Sequence, residues 1–423
     1  MASNESFLPD LQYLPIFVAR QPIFSPELSV WGYELLFRGG ADASTACFDS
    51  PDLATSNVIA DGFTLAMAGI GQDKKILINF PAGSILDGSP LALPKESCVV
   101  EILETVDPTP DVVEALSIIK DQGYTLALDD YVGQDGYEPL IELADIVKVD
   151  VLGLSKLELV KTVNRLRNFG VKLLAEKVEN SEMFDITRNL GFSFFQGFFF
   201  SKPEVLPGRK PPSGAAAKVL LLKELSRPEW EINHIAEIIS RDLSFSYRLL
   251  KFINSAVFSL KHKVKSLSQA VSLLGQKAFK QWAMVVILSD LDNSKRAEEL
   301  SYMSIQRARF LELVSQGQPE SPHPPDTMFL VGLFSLLDAI LNQEMKEIIS
   351  DTPLDEEIKE ALSRVPNRTR EWLLMLEAVE RGEWSDVGRF LAENKIDPAM
   401  AAVHYLKASS WAHEILGISN SAD

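Results

Sequence analysis

The chain has 423 residues, a net charge of −18, 46% hydrophobic and 24% charged residues. At about 150 residues per domain this length calls for two or three domains, and the composition excludes disordered, collagenous and disulfide-scaffold classes. The acidity sits in the first half, where residues 1–206 carry 15 Lys+Arg against 30 Asp+Glu and residues 207–423 carry 26 against 29. It argues against nucleic acid as a partner, which needs clustered cations, and suits a divalent-cation site. Neither an apolar run of about 18 residues nor a basic-then-apolar leader occurs, so the expectation is a cytoplasmic protein without a membrane span. Cys47 and Cys98 are too few for a disulfide framework.

In chain order, apolar runs predict strands at Pro15 to Ala19, Val30 to Phe37, Ile76 to Phe80, Cys98 to Leu103, Tyr124 to Asp129, Asp145 to Val149, Val171 to Ala175 and Ser193 to Phe199. Between most of them lie helical patterns, at Asp52 to Ala68, Thr109 to Asp121, Pro139 to Leu143, Ser155 to Phe169 and Ser181 to Leu190. This α/β alternation predicts a (β/α)8 TIM-like barrel, with a doubly wound sheet as the alternative. The breaker cluster from Lys202 to Gly214 then predicts a barrel domain over 1–206, a linker over 207–214 and a second domain over 215–423. Apolar positions at three- and four-residue steps make that second domain all-α, with helices expected from Ala215 to Leu225 through Ile232 to Ser240 and Phe245 to Asn254 to Ala399 to Leu416.

Polar residues inside apolar strands are costly unless satisfied, and strands two to eight each carry at least one. They are Glu34, Asn79, Glu101 with Glu104, Asp129 with Asp130, Lys148, Glu176 with Glu179, and Gln196. Any one of them could cap a strand or form a surface ion pair. In a parallel barrel, however, the C-terminal strand ends share one mouth, so these groups converge there. Carboxylates gathered so closely repel one another unless cations neutralise them, and oxygen ligands without His or Cys favour Mg²⁺ or Mn²⁺. Such a site with a lysine suits phosphate-ester hydrolysis. Arg38, four residues after Glu34, could grip a phosphate or form a surface ion pair.

The order and spacing of these residues resemble the EAL-domain cyclic-di-GMP phosphodiesterases over about residues 12–204. Gln21-Pro22-Ile23 is similar to that family's QPI opening, and Glu34-Leu35-Leu36-Phe37-Arg38 to its ExLxR signature. The resemblance implies a two-metal Mg²⁺ or Mn²⁺ site: Glu34, Asn79, Glu101 and Asp129 on one ion, and Asp129, Asp130 and Glu176 on the other. It implies that Lys148 and Glu176 handle the attacking water, that Gln21, Leu36, Arg38 and Gln196 bind cyclic di-GMP, and that Glu104 and Glu179 support them. Three departures stand out: the loop Tyr131 to Glu138, Phe80-Pro81 after Asn79, and Lys177 where glycine is usual.

The second half resembles the HDOD module, an all-α relative of the HD metal phosphohydrolases, over about residues 208–410. Near Gly332 to Asp338, where those enzymes place a His-Asp pair, no histidine stands. The basic stretch around Arg248, Lys261 and Lys263 reads as a solvated helix face rather than a nucleic-acid contact. The expectation is a metal-dependent phosphodiesterase joined to a non-catalytic scaffold that docks a protein partner, with a homodimer possible. The alternatives are a weak or inactive barrel acting as cyclic-di-GMP receptor or interaction surface, and a metal-dependent barrel enzyme with another substrate.

Overall fold

The computed structural model describes residues 17–38, 73–201, 215–227, 253, 267–292, 294–350 and 352–420. The expected helices at 52–68, 232–240 and most of 245–254, the linker, Cys47 and the basic stretch at 248–265 lie outside these residues.

Eight strands close into a barrel in chain order: β1 (Phe17–Phe24), β2 (Val30–Arg38), β3 (Lys75–Phe80), β4 (Cys98–Ile102), β5 (Thr125–Leu128), β6 (Ile146–Asp150), β7 (Lys172–Glu176) and β8 (Phe194–Phe195). Closure rules out the open doubly wound sheet. From β2 to β8 neighbouring strands are parallel, but β1 runs antiparallel to both β2 and β8. The cause is local: only Ser25 to Ser29 separate β1 from β2, too short for the dozen or so residues a parallel crossover needs. Ser29 O instead accepts from Ser25 N at 2.8 Å, closing a hairpin.

The strand expected at Pro15 to Ala19 therefore lies further on, and it runs through Gln21 and Pro22. Among the described residues β1 meets β8 only at Phe24↔Phe195, so the missing N–H of Pro22 costs no ladder bond on that side.

Helices α1 (Ala82–Leu86), α2 (Pro110–Asp121), α3 (Glu138–Leu143), α4 (Lys156–Leu166) and α5 (Ser181–Asn189) follow β3 to β7. Their starts follow sequence chemistry: Thr109 and Asn180 accept from backbone N–H groups, and Ser155 with Glu158 forms a capping box. The barrel interior is plugged by Ile23, Leu77, Val99, Ala127, Ile146, Leu174 and Phe194, all buried. A separate apolar shell packs between the strands and these helices.

The second half is helical throughout its described residues: α6 (Ala215–Ser226), α7 (Leu267–Ser289), α8 (Lys295–Ser315), α9 (Pro325–Phe334), α10 (Leu337–Leu341), α11 (Met345–Ile349), α12 (Glu356–Leu362), α13 (Arg368–Arg381), α14 (Trp384–Glu393) and α15 (Pro398–Asn420). The apolar three- and four-residue steps run unbroken from Thr327 to Leu341 and predict one helix there, but the structure has two, α9 and α10, broken at Ser335 and Leu336. Gly332 explains the tight α8–α9 packing, because any Cβ there would run into the backbone of Ala308.

This domain packs directly on β1 and β2. Ala19 belongs to its core and Leu36 packs against it. Arg20 is sandwiched between the rings of Tyr33 and Tyr302, at 4.7 and 4.1 Å from their centroids. Tyr33 donates to Glu299 at 2.8 Å, and Arg296 to the carbonyl of Phe200 at 3.1 Å. No helix among the described residues is long and apolar enough to cross a membrane.

Candidate active site

Side chains on a strand repeat every two residues, so the layer beyond the apolar plug is set by the plug itself. Two positions towards the C-terminal end from Leu77, Val99, Ala127, Ile146, Leu174 and Phe194 stand Asn79, Glu101, Asp129, Lys148, Glu176 and Gln196. Because β1 runs the other way, its contribution lies two positions before Ile23, at Gln21. Gln21 pairs with Glu34 across the hairpin, which places both on the same face. One polar ring thus lines the mouth.

Lys148 is its centre. Its side chain is 1% exposed, and Nζ lies 3.2 Å from Glu34, 2.8 Å from Asp129 and 2.9 Å from Glu176, with Glu101 also in contact. Burial alone would push the ammonium down, but Asp129, Glu101, Glu176 and Glu34 together hold it well above its ordinary value. Burial, then the repulsion of Glu34, raises the Glu101 carboxyl well above the usual range against the pull of Lys148. Burial likewise raises Glu176, with Lys148 opposing and Asp129 and Glu34 reinforcing.

Glu34 is also gripped by Asn79 at 3.1 Å and by Gln196 at 2.7 Å, and Gln196 donates to Gln21 at 2.6 Å. Gln196 can take this position because Gly197 follows it at φ 147, where any Cβ would strike the backbone of Val178.

Four buried oxygens at this mouth accept no hydrogen bond: Asn79 Oδ1, Glu101 Oε2, Glu176 Oε2 and Gln196 Oε1. Each such acceptor costs about 1–3 kcal/mol, and a hard cation is the partner that suits oxygen acceptors of this kind. Asp129, Asp130 and Glu176 moreover present ligand atoms within 4.8 Å of one another. The residues present therefore fit divalent metal.

Other sequence-singled residues fall elsewhere. Leu36 packs towards the helical core beside Gly382 rather than among the carboxylates. Arg38 ends β2, and its side chain lies outside the described residues. Glu104 is exposed beyond β4 and Glu179 is half-buried beyond β7. The loop after Asp130 is fastened by Arg165, which donates to the carbonyl of Gly133 at 3.0 Å and pairs with Asp135 at 3.3 Å and with Glu138.

Asp150 was missed by the sequence reading. It stands two residues beyond Lys148, on the same face by the period of two, and opposite Glu176 in the ladder. Its carboxylate accepts from Leu152 and Gly153 N–H and from Lys177 at 2.6 Å.

In the helical half, Asp338 is buried and paired with Arg364 at 3.0 Å, with Ala339 N–H donating to it at 2.8 Å. Among the described residues the one group of three or more potential metal ligands is Asp129, Asp130 and Glu176.

Family profiles and a curated relative match this chain over most of its length. The EAL domain profile matches residues 89–203 and the HDOD domain profile residues 212–362. Cyclic di-GMP phosphodiesterase CdgJ of Vibrio cholerae is 32% identical over 94% of this chain and 93% of its own length. The uncharacterized protein YuxH of Bacillus subtilis is also 32% identical, over 95% of this chain and 99% of its own. Among solved structures, the Bacillus subtilis YkuI protein, which has an EAL domain and is in complex with c-di-GMP and calcium, is 22% identical. It covers 62% of this chain and 71% of that one, with a TM-score of 0.38. The end-to-end match to CdgJ, in a chain whose closed barrel precedes an all-helical half, means that this protein belongs to the EAL–HDOD family.

Proposed function

We propose that the barrel hydrolyses cyclic di-GMP to linear pGpG, with Mg²⁺ or Mn²⁺ at the mouth, and that the HDOD half is a non-catalytic scaffold for a protein partner in the cytoplasm. The observation that carries this reading is the polar ring around Lys148 with its four donorless buried oxygens. Glu34, Asn79, Glu101 and Asp129 would hold one ion, and Asp129, Asp130 and Glu176 the other. Metal bound there supplies charge stabilisation on the phosphoryl oxygens and lowers the pKa of water.

The protein's own groups do the rest. Glu176, a carboxylate that burial holds well above the usual range despite the pull of Lys148, is assigned to take the proton of the attacking water. The Lys148 ammonium, held charged by its neighbours, stabilises the negative charge that develops as the ester bond breaks. Gln21, Gln196 and Arg38 are assigned to the nucleotide, and Glu104 and Glu179 to support of the ring. Leu36, turned to the helical core, is left out of this assignment.

The test is direct: purified protein with cyclic di-GMP and Mn²⁺ should yield pGpG, and EDTA should abolish it. Binding without product would favour the second reading, a cyclic-di-GMP receptor. The observation on that side is Lys177, whose ammonium lies 3.6 Å from Asp130, beside the outer ligand group. Absence of both binding and product overturns both readings.

A further inference from the structure

Lys177 directly follows Glu176 at the end of β7, and its backbone sits at φ 57. That region suits glycine; a residue with a Cβ adopts it only under strain. The chain nevertheless carries a lysine here, so the place to look is its side chain. Nζ lies 2.6 Å from Asp150 Oδ2 and 3.6 Å from Asp130 Oδ1.

Asp150 is well held for this role. Its other oxygen accepts from Leu152 N at 2.9 Å and Gly153 N at 3.0 Å, which fixes the carboxylate that anchors the ammonium. Asp130, itself at φ 41, then shares its charge between Lys177 and the group it forms with Asp129 and Glu176. In that group Glu176 Oε2 is buried and has no hydrogen-bond partner, so an acceptor is open to a cation there.

We propose that Lys177 is a resident counter-ion of the outer half of the mouth, sharing Asp130 with any cation held by Asp129, Asp130 and Glu176 and so weakening that second metal position. This rests on the metal assignment above and goes beyond it. Two positive charges that compete for one carboxylate repel, and the repulsion acts on the outer ion far more than on one held by Glu34, Asn79 and Glu101. Lys148 touches carboxylates of both ligand sets, so the charge that sets the two positions apart is Lys177, and the inner position should fill first and the outer one only at higher metal. Lys177 is a positioning residue in this sense: it acts through Asp130 and Asp150.

The test is Mn²⁺ binding to the full-length protein without nucleotide, followed by electron paramagnetic resonance and calorimetry. Lys177→Met keeps the side-chain length and removes the charge; Lys177→Arg keeps the charge; Lys177→Gly removes both charge and backbone strain. The parent should bind one Mn²⁺ tightly and a second more weakly. Lys177→Met should tighten the second by about tenfold or more, leave the first within about threefold, and be matched in direction by Lys177→Gly, while Lys177→Arg follows the parent. Two ions bound with equal affinities in parent and Lys177→Met overturn the inference while leaving the metal assignment standing. Tightening in Lys177→Gly alone overturns it as well, since strain rather than charge is then responsible. No Mn²⁺ bound by any of the proteins overturns both the inference and the metal assignment.

Discussion

Lys148→Met is the sharpest probe of the mouth, because it removes one charge and almost no volume. In the parent the ammonium touches Glu34, Glu101, Asp129 and Glu176 and is 1% exposed. Taking one partner from a buried ion pair costs about 3–5 kcal/mol, since the other charge stays buried without compensation. At roughly 2–4 °C per kcal/mol for a domain of about 200 residues, the variant should melt about 6–20 °C lower in EDTA. Cations can replace the lost charge: a ligand at about 100 times its Kd contributes about 2.7 kcal/mol. Mn²⁺ should therefore raise the variant's melting point more than the parent's, while hydrolysis still falls by about 100-fold or more for want of the ammonium. The assay is a melting curve of each protein in EDTA and in saturating Mn²⁺, beside product formation. A variant that melts within a degree of the parent in EDTA would refute the view that Lys148 is what neutralises the ring.

Further outcomes are expected. Glu34→Ala removes an acceptor shared by Lys148, Asn79 and Gln196, and pGpG formation should drop by about 100-fold or more; turnover within tenfold of the parent contradicts the assignment. Arg20→Met breaks the stack between Tyr33 and Tyr302 and leaves Glu299 buried beside them, which should cost about 2–4 kcal/mol. Calorimetry should then show the two halves melting apart, and one unshifted transition speaks against this contact as the joint. Cys98 is buried on β4, and burial pushes its thiol from 9.0 up to about 12. Between those values the folded state keeps a proton that the unfolded chain releases, so this contribution is complete below pH 9 and fades as pH rises towards 12. Urea titrations at about pH 8 and 10 should show stability falling less in Cys98→Ala than in the parent, and parallel losses contradict that origin.

Much of this protein is written into its sequence by periodicity. Runs such as Ile76 to Asn79 and Ile146 to Lys148 are apolar up to one polar residue, and a strand buried on both sides permits that only where the polar group has company. The capped helix starts at Thr109, Ser155 and Asn180 are equally local, as is the hairpin, whose Ser25 to Ser29 connection is too short for a crossover. The hairpin was nonetheless missed, because Gln21 and Pro22 interrupt the apolar run of β1 and hide the strand that contains them. Asp150 was legible too, two residues past Lys148, but the strand expected from the apolar run closes at Val149 and leaves it outside.

What the tertiary structure alone decided are the relations between distant segments. That Gln21 joins the ring depends on β1 running against its neighbours, which turns its face the other way up. That Leu36 faces the helical half beside Gly382, and that Arg20 lies between Tyr33 and Tyr302, depends on packing between residues from opposite halves of the chain. The reach of Lys177 to Asp130 and Asp150 depends on three adjacent strand ends. Sequence periods report which face of an element a residue occupies, because that follows from backbone geometry shared by all chains. Which face meets which is settled only when the barrel closes and the helical half docks on it.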